Sequence, residues 1–204
     1  MLSRVTRRSV DVRLDEILRT ACDVIAERGL GNTRTADVAR AAGVSQALMF
    51  YHFASKDRLL AQAFAWSADQ ELARLEAILD DPGPPLHKLR KLLRWYAPSA
   101  SARSWPMWID YWAESMRNPE LEKVSRRLDL RWKEALAEVI TLGVKDGDFD
   151  CDDPTGAAWR LLALIDGLAV QATVHQRAVT KKQMLDWVRT AAAHELNISP
   201  HDMA

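Results

Sequence analysis

Residues 33–56 constrain the chain more than any other stretch. They read as two short helices joined by a glycine turn, with a third helix starting at once. Thr33 is placed to cap a helix, because its hydroxyl can accept a bond from a free first-turn amide. In the helix expected over 34–42, Val38 and Ala39 form the inward pair, and the small Ala39 lets a second helix cross closely. Gly43 follows, where a left-handed backbone is expected and glycine takes it without a Cβ penalty. Val44 fills the turn. Ser45 caps the next helix, 46–52, on which Met49 faces inward while Gln46, Ala47 and Tyr51 face out. Ser55 caps a third helix at Lys56. This is the outline of a helix-turn-helix.

The other apolar patterns are helical too. Leu14, Ile17, Leu18, Ala21, Cys22 and Ile25 recur at three- and four-residue steps, a single stripe. Beyond residue 56, helices are expected over 56–79, 86–96, 105–117, 120–146, 153–175 and 180–196. They are separated by breakers: residues 80–85 hold Pro82, Gly83, Pro84 and Pro85, and later breaks fall at Asn118-Pro119, Gly147 and Asp153-Pro154. No stretch shows convincing strand alternation, and no internal repeat is visible. The expectation is an all-α fold of about nine helices.

The ordered set Ala39, Gly43, Val44, Phe50-Tyr51-His52-Phe53 and Ser55-Lys56, preceded by Glu27-Arg28-Gly29, resembles the amino-terminal domain of TetR-family transcriptional regulators. Farther on, Trp108-Ile109-Asp110-Tyr111-Trp112, Asn118-Pro119, Gly147-Asp148-Phe149 and Asp166-Gly167-Leu168-Ala169 resemble the BetI-like branch, named for a choline-responsive repressor. The resemblance implies a three-helix DNA-binding domain over residues 11–56, preceded by a flexible basic arm over 1–10. A helical-bundle domain for effector binding and dimerisation would follow over 57–204. The implied function is a ligand-responsive repressor that binds a palindromic operator as a homodimer.

Composition fits that reading once the charge is located. The net charge is +0, but residues 1–60 hold ten basic against seven acidic side chains. The excess includes Arg4, Arg7 and Arg8, either a DNA-facing arm or a solubilising tail. No segment reads as a long uncharged apolar run of the kind that spans a membrane, and the start has no secretory apolar region. Cys22 lies on an apolar face and Cys151 among aspartates. A cytoplasmic, reduced protein without a membrane role is expected.

The expected DNA contacts are Thr33, Arg34, Ser45, Gln46, Ala47, Leu48, Tyr51, His52 and Lys56. Gln46 has the amide pair that can engage adenine, and Ala47 and Leu48 suit thymine methyls. By resemblance, Tyr51, His52 and Lys56 meet phosphates, as do Thr33 and Arg34 at a helix start. Position 48 is often Thr in the family and position 50 often Tyr. Here they are Leu48 and Phe50, and two polar contacts are lost.

Eight tryptophans suggest an effector site. Trp105, Trp108 and Trp112 fall at steps of three and four, with Met116 continuing the stripe; Trp66, Trp95 and Trp132 lie on other helices. A cage for a cationic or aromatic small molecule is one reading, with Asp110, Glu114 or Asp166 as counter-charge. Plain core packing is the other. For a dimer face the candidates are Trp159, Leu162, Ala169, Val170, Met184, Trp187 and Val188, because the helix over 153–175 is apolar around much of its circumference. A simple buried central helix is the alternative. The histidines show no metal spacing and no phosphate-binding glycine loop occurs, so no metal or cofactor is expected. A helical protein-interaction adaptor and an α-helical enzyme are the rival readings.

Overall fold

The computed structural model describes the backbone of residues 2–96, 104–175 and 178–203, with side chains from residue 14 onward except at 104. The described residues form α1 (Leu2–Arg28), α2 (Thr35–Ala41), α3 (Gln46–His52), α4 (Lys56–Leu79), α5 (Pro85–Tyr96), α6 (Ser104–Ser115), α7 (Pro119–Asp146), α8 (Pro154–Val174), α9 (Lys181–Glu195) and a final 3-10 turn, η1 (Pro200–Met203). No strand occurs among them, so the all-α expectation holds. The turn η1 was not expected. α1 begins at Leu2, so the basic residues Arg4, Arg7 and Arg8 lie on a helix rather than on an arm before it. Their side chains fall outside the described residues.

The chain divides into two compact units. The first joins Met1–Glu71 to Pro106–Arg126; the second joins Leu72–Trp105 to Arg127–Ala204. The expected division at residue 56 is therefore not where compactness breaks. The reason is the size of α2 and α3. α2 and α3 have seven residues each, below the roughly 12 residues at which an isolated helix becomes even marginal in water. They persist only by burying an apolar face. Val38, Ala39, Met49 and Phe53 supply it, and Leu59, Leu60, Ala63 and Phe64 of α4 close over it. Met107 and Tyr111 of α6 and Leu121 of α7 complete the same core.

The caps follow the sequence closely, with one correction. Ser45 accepts the N–H of Leu48 at 3.2 Å, and Ser55 that of Arg58 at 3.2 Å. Thr33 caps nothing: the cap position of α2 is Arg34, which makes no side-chain cap bond. Thr33 is buried, and its hydroxyl donates to the Gly29 carbonyl at 2.8 Å.

In the second unit, Asp153 caps α8 by accepting the N–H of Gly156 at 2.9 Å, with Pro154 in the first turn. Thr180 and Gln183 form a reciprocal capping box at α9. Arg131 of α7 grips both carboxylate oxygens of Glu76 on α4, at 2.8 and 2.9 Å, and also Glu138 at 2.8 Å. α8 packs on α9, and Arg160 binds Glu195 across that pair at 2.7 and 2.6 Å. Contrary to the sequence expectation, α8 is long and apolar enough to cross a membrane by length and composition. Its buried face, Ala157, Ala158, Leu161, Leu162, Ile165 and Ala169, is protein core.

Gly43 has φ +64, and a Cβ there would meet nothing within 4 Å. Any cost of adding one is therefore backbone strain alone. Gly43→Ala is expected to lower stability by about 1–2 kcal/mol, read as a reduced urea midpoint with an unchanged slope.

Candidate nucleic-acid interface and effector region

α3 sorts its residues into rows four apart, because 3.6 residues make a turn. Met49 and Phe53 are buried. On the opposite side lie Ala47 and Tyr51, with Tyr51 81% exposed. One flank carries Gln46 and Phe50; the other carries Leu48 and His52, both half-buried. Phe50 is 61% exposed. From the sequence, Phe50 stands out only by the hydroxyl it lacks. Its spacing of four from Gln46 was the available signal that both share a face.

The remaining predicted contacts divide. Arg34 and Ser45 are exposed. His52 stands edge-on to Tyr51, ring centroids 5.2 Å apart. The Lys56 ammonium donates to the Gly31 carbonyl at 3.1 Å, which braces the α1–α2 turn from α4. Thr33 is withdrawn as a phosphate contact, since the side chain is buried and its hydroxyl is engaged inside the head.

The tryptophans do not form one group. In the first unit, Trp66 and Trp108 pack against the core, and Trp108 meets Phe64 edge-on at 5.3 Å. Trp112 is half-buried. Met116 lies beyond the end of α6 and is 77% exposed, so it does not continue the stripe. In the second unit, Trp95 is at the surface with the Arg74 guanidinium 4.9 Å above its ring.

Trp105 and Trp132 are buried there and share a partner that sequence reasoning missed. Tyr96 stands edge-on to both, at 6.1 Å and 4.9 Å. Its hydroxyl donates to Asp166 at 2.7 Å. A search confined to tryptophans passes over it, although it ends the strongly amphipathic α5. Burial pushes the Asp166 carboxyl up to about 6; nearby Asp129 pushes it the same way, against the Tyr96 bond and Lys133. Burial, with Asp166 adding to it, holds the Tyr96 hydroxyl well above its ordinary value. Lys133 is itself buried, bonds Asp129, and lies 3.8 Å from the Trp159 ring centroid. An open groove of about 710 Å³ runs between α7 and α8, lined by Leu130, Ala137, Leu142 and Trp159 among others. It includes none of the expected effector residues.

The dimer candidates also split. Leu162, Ala169, Met184 and Val188 are buried within the unit and cannot face a partner; Trp159 and Trp187 are 47% and 45% exposed. What α8 leaves uncovered is a row of Trp159, Ala163, Gly167 and Val174, with Val170 half-buried in the same row. Periodicity alone marks a helix as apolar all round without saying which side its own unit covers.

The raised carboxyl has a consequence for stability. Asp166 starts from 3.8 and titrates in the fold at about 6. The contribution is present in full below the lower value and is lost as pH rises through the upper one, because the charged form is the disfavoured one when buried. Asp166→Asn should therefore gain in melting temperature over the native protein as pH rises from 4 to 7. A constant difference across that range contradicts the assignment.

Comparisons place this geometry among known proteins. Residues 17–63 match the family described as bacterial regulatory proteins, tetR family. Residues 85–197 match the family described as BetI-type transcriptional repressor, C-terminal. The chain is 28% identical over 153 residues to the HTH-type transcriptional repressor KstR2 of Mycolicibacterium smegmatis, covering 74% of each protein. It is 27% identical over 162 residues to the HTH-type transcriptional regulator BetI of Pseudomonas paraeruginosa, covering 77% of this chain and 79% of that one. A crystal structure of a transcriptional regulator from Saccharomonospora viridis in complex with choline superposes with a TM-score of 0.83 at 31% identity, over 92% of this chain and 98% of that one. A head in which the short α2 and α3 follow the long α1, a helical second unit and two matched segments that together span most of the chain lead to one conclusion: this protein belongs to the TetR family of DNA-binding transcriptional regulators, with a BetI-type carboxy-terminal domain.

Proposed function

We propose that the protein is a repressor that binds a palindromic operator as a homodimer in the cytoplasm and leaves it when a compact quaternary ammonium ion occupies the second unit. The observation that carries the ligand class is the Tyr96, Trp105 and Trp132 cluster beside the half-buried Asp166 carboxylate. Aromatic faces attract cations through their quadrupole, and a desolvated carboxylate supplies the counter-charge. The choline-bound relative at 31% identity supports choline as the first compound to test. Because Asp166 titrates at about 6, choline should bind more tightly at pH 7.5 than at pH 5.5.

On the DNA side, α3 enters the major groove with Gln46, Ala47, Phe50 and Tyr51 towards it. Gln46 engages an adenine, and the exposed Phe50 ring covers a thymine methyl or sugar beside it. Arg34, Ser45, Leu48, His52 and Lys56 flank that surface. One head reads too few base pairs for a genome, so two-fold pairing is the physical requirement, with half-sites roughly 34–36 Å apart. The row Trp159, Ala163, Gly167, Val170 and Val174, with Trp187 of α9, is the surface for that pairing. The α7–α8 groove adjoins it through Trp159.

Selection of operators from random DNA by the purified protein tests the core reading. A two-fold repeated sequence is expected, released by choline chloride but not by a neutral isostere such as 3,3-dimethylbutanol. Gln46→Ala should flatten preference at one base pair per half-site, worth about 1–3 kcal/mol. Release by the neutral isostere alone would point instead to an apolar effector. For the pairing surface, Ala163→Glu should convert a dimer to a monomer in sedimentation velocity at micromolar concentration. A dimer that survives this change would move the interface elsewhere.

A further inference from the structure

Two neighbouring residues of α6 hold two different parts of the reading head. Asp110 accepts the backbone N–H of Leu30, in the α1–α2 turn, at 3.0 Å. Tyr111 is fully buried, stacks on Phe64 with ring centroids 3.9 Å apart, and donates its hydroxyl to the Leu60 carbonyl of α4 at 3.2 Å. The turn is held on every side that the structure describes. Gly29 ends α1 in a left-handed conformation, φ +80, and the Asp110 carboxylate lies 3.5 Å from where a Cβ on that residue would stand. Thr33 ties back to the Gly29 carbonyl, and Lys56 to that of Gly31. Among these contacts, the Asp110 carboxylate alone comes from outside the first four helices.

Immediately after this turn the chain enters α2, which packs on α3. Where the turn sits therefore sets where the two reading helices start. At the other end, the first turn of α6 carries Trp105, a member of the aromatic cluster of the second unit, and from Pro106 onward the helix belongs to the first. Trp105 and Asp110 are about 7.5 Å apart along one helix.

We propose that Asp110 is the positioning residue through which α6 sets the pose of α2 and α3. A displacement of α6 at Trp105 is then read out at the α1–α2 turn, by a route separate from the continuous α4. A bond between a carboxylate and a backbone amide is strong for a single hydrogen bond yet local. It can open while the apolar core keeps the head folded. This inference deepens the effector reading above and depends on it only for the ligand arm of the test.

The test uses the full chain and an operator selected by the native protein. In the ligand arm, operator Kd is measured with and without choline chloride. Native protein should weaken tenfold or more on addition, Asp110→Ala less than twofold, and Asp110→Asn, which keeps an acceptor oxygen, in between. Leu30 amide exchange should speed up at least tenfold in Asp110→Ala. The second arm needs no ligand: a double-mutant cycle of Trp105→Phe and Asp110→Ala on operator Kd should be non-additive by fivefold or more. Additivity within twofold overturns the proposal, as does a native choline response in Asp110→Ala. If native protein ignores choline, the effector assignment fails and the cycle still decides the coupling. If Asp110→Ala does not fold, Asp110→Asn replaces it in the cycle. Unchanged Leu30 exchange together with an additive cycle in that variant overturns the proposal.

Discussion

The reading head rests on a stack between two rings that the DNA never meets. Phe64 of α4 and Tyr111 of α6 lie nearly parallel, 17° apart, with Trp108 edge-on beside Phe64. Two seven-residue helices have too little apolar surface to close a core of their own. The fold solves this by recruiting the start of α4, most of α6 and the start of α7. The structural unit that presents α3 is thus larger than the segment proposed to read DNA, and it is discontinuous in sequence.

The second unit handles charge differently. Asp166, Asp129 and Lys133 are drawn inward among Tyr96, Trp105, Trp132 and Trp159. Each has a partner, as buried charges require. Asp166 accepts the Tyr96 phenol, and its raised affinity for a proton follows from burial, which outweighs that bond. The Lys133 ammonium already occupies the Trp159 ring, so that indole is not free to serve the same purpose from its Lys133 face.

Much of the fold was legible because it is written locally. Gly43, Ser45, Ser55, Asp153 and Thr180 announce turns and caps through their own backbone and hydroxyl chemistry, and the structure places each where that chemistry asks. Thr33 is the instructive failure. The same hydroxyl that makes a good cap also satisfies a carbonyl four residues back, and burial decides between them. Helical spacing likewise marked Trp105, Trp108 and Trp112 as one stripe, yet they join different compact units. Periodicity reports that a face is apolar, not which neighbour covers it. For the same reason Leu162, Ala169, Met184 and Val188 read as partner-facing and lie inside, while Ala163 and Gly167 stay open. Phe50 was legible as an oddity but its exposure was not.

The division of α6 between the units bears on engineering. Regulators of this type invite chimeras in which a head from one protein is joined to a sensor from another, and the natural cut on the sequence is just before α4. That cut would strip the head of Phe64 and Tyr111, and of the carboxylate that holds its first turn. A workable exchange would carry residues 1–71 together with 106–126, and would keep the length of α6 fixed. A single inserted residue there turns the helix by about 100°, and Asp110 would then point away from the amide it serves.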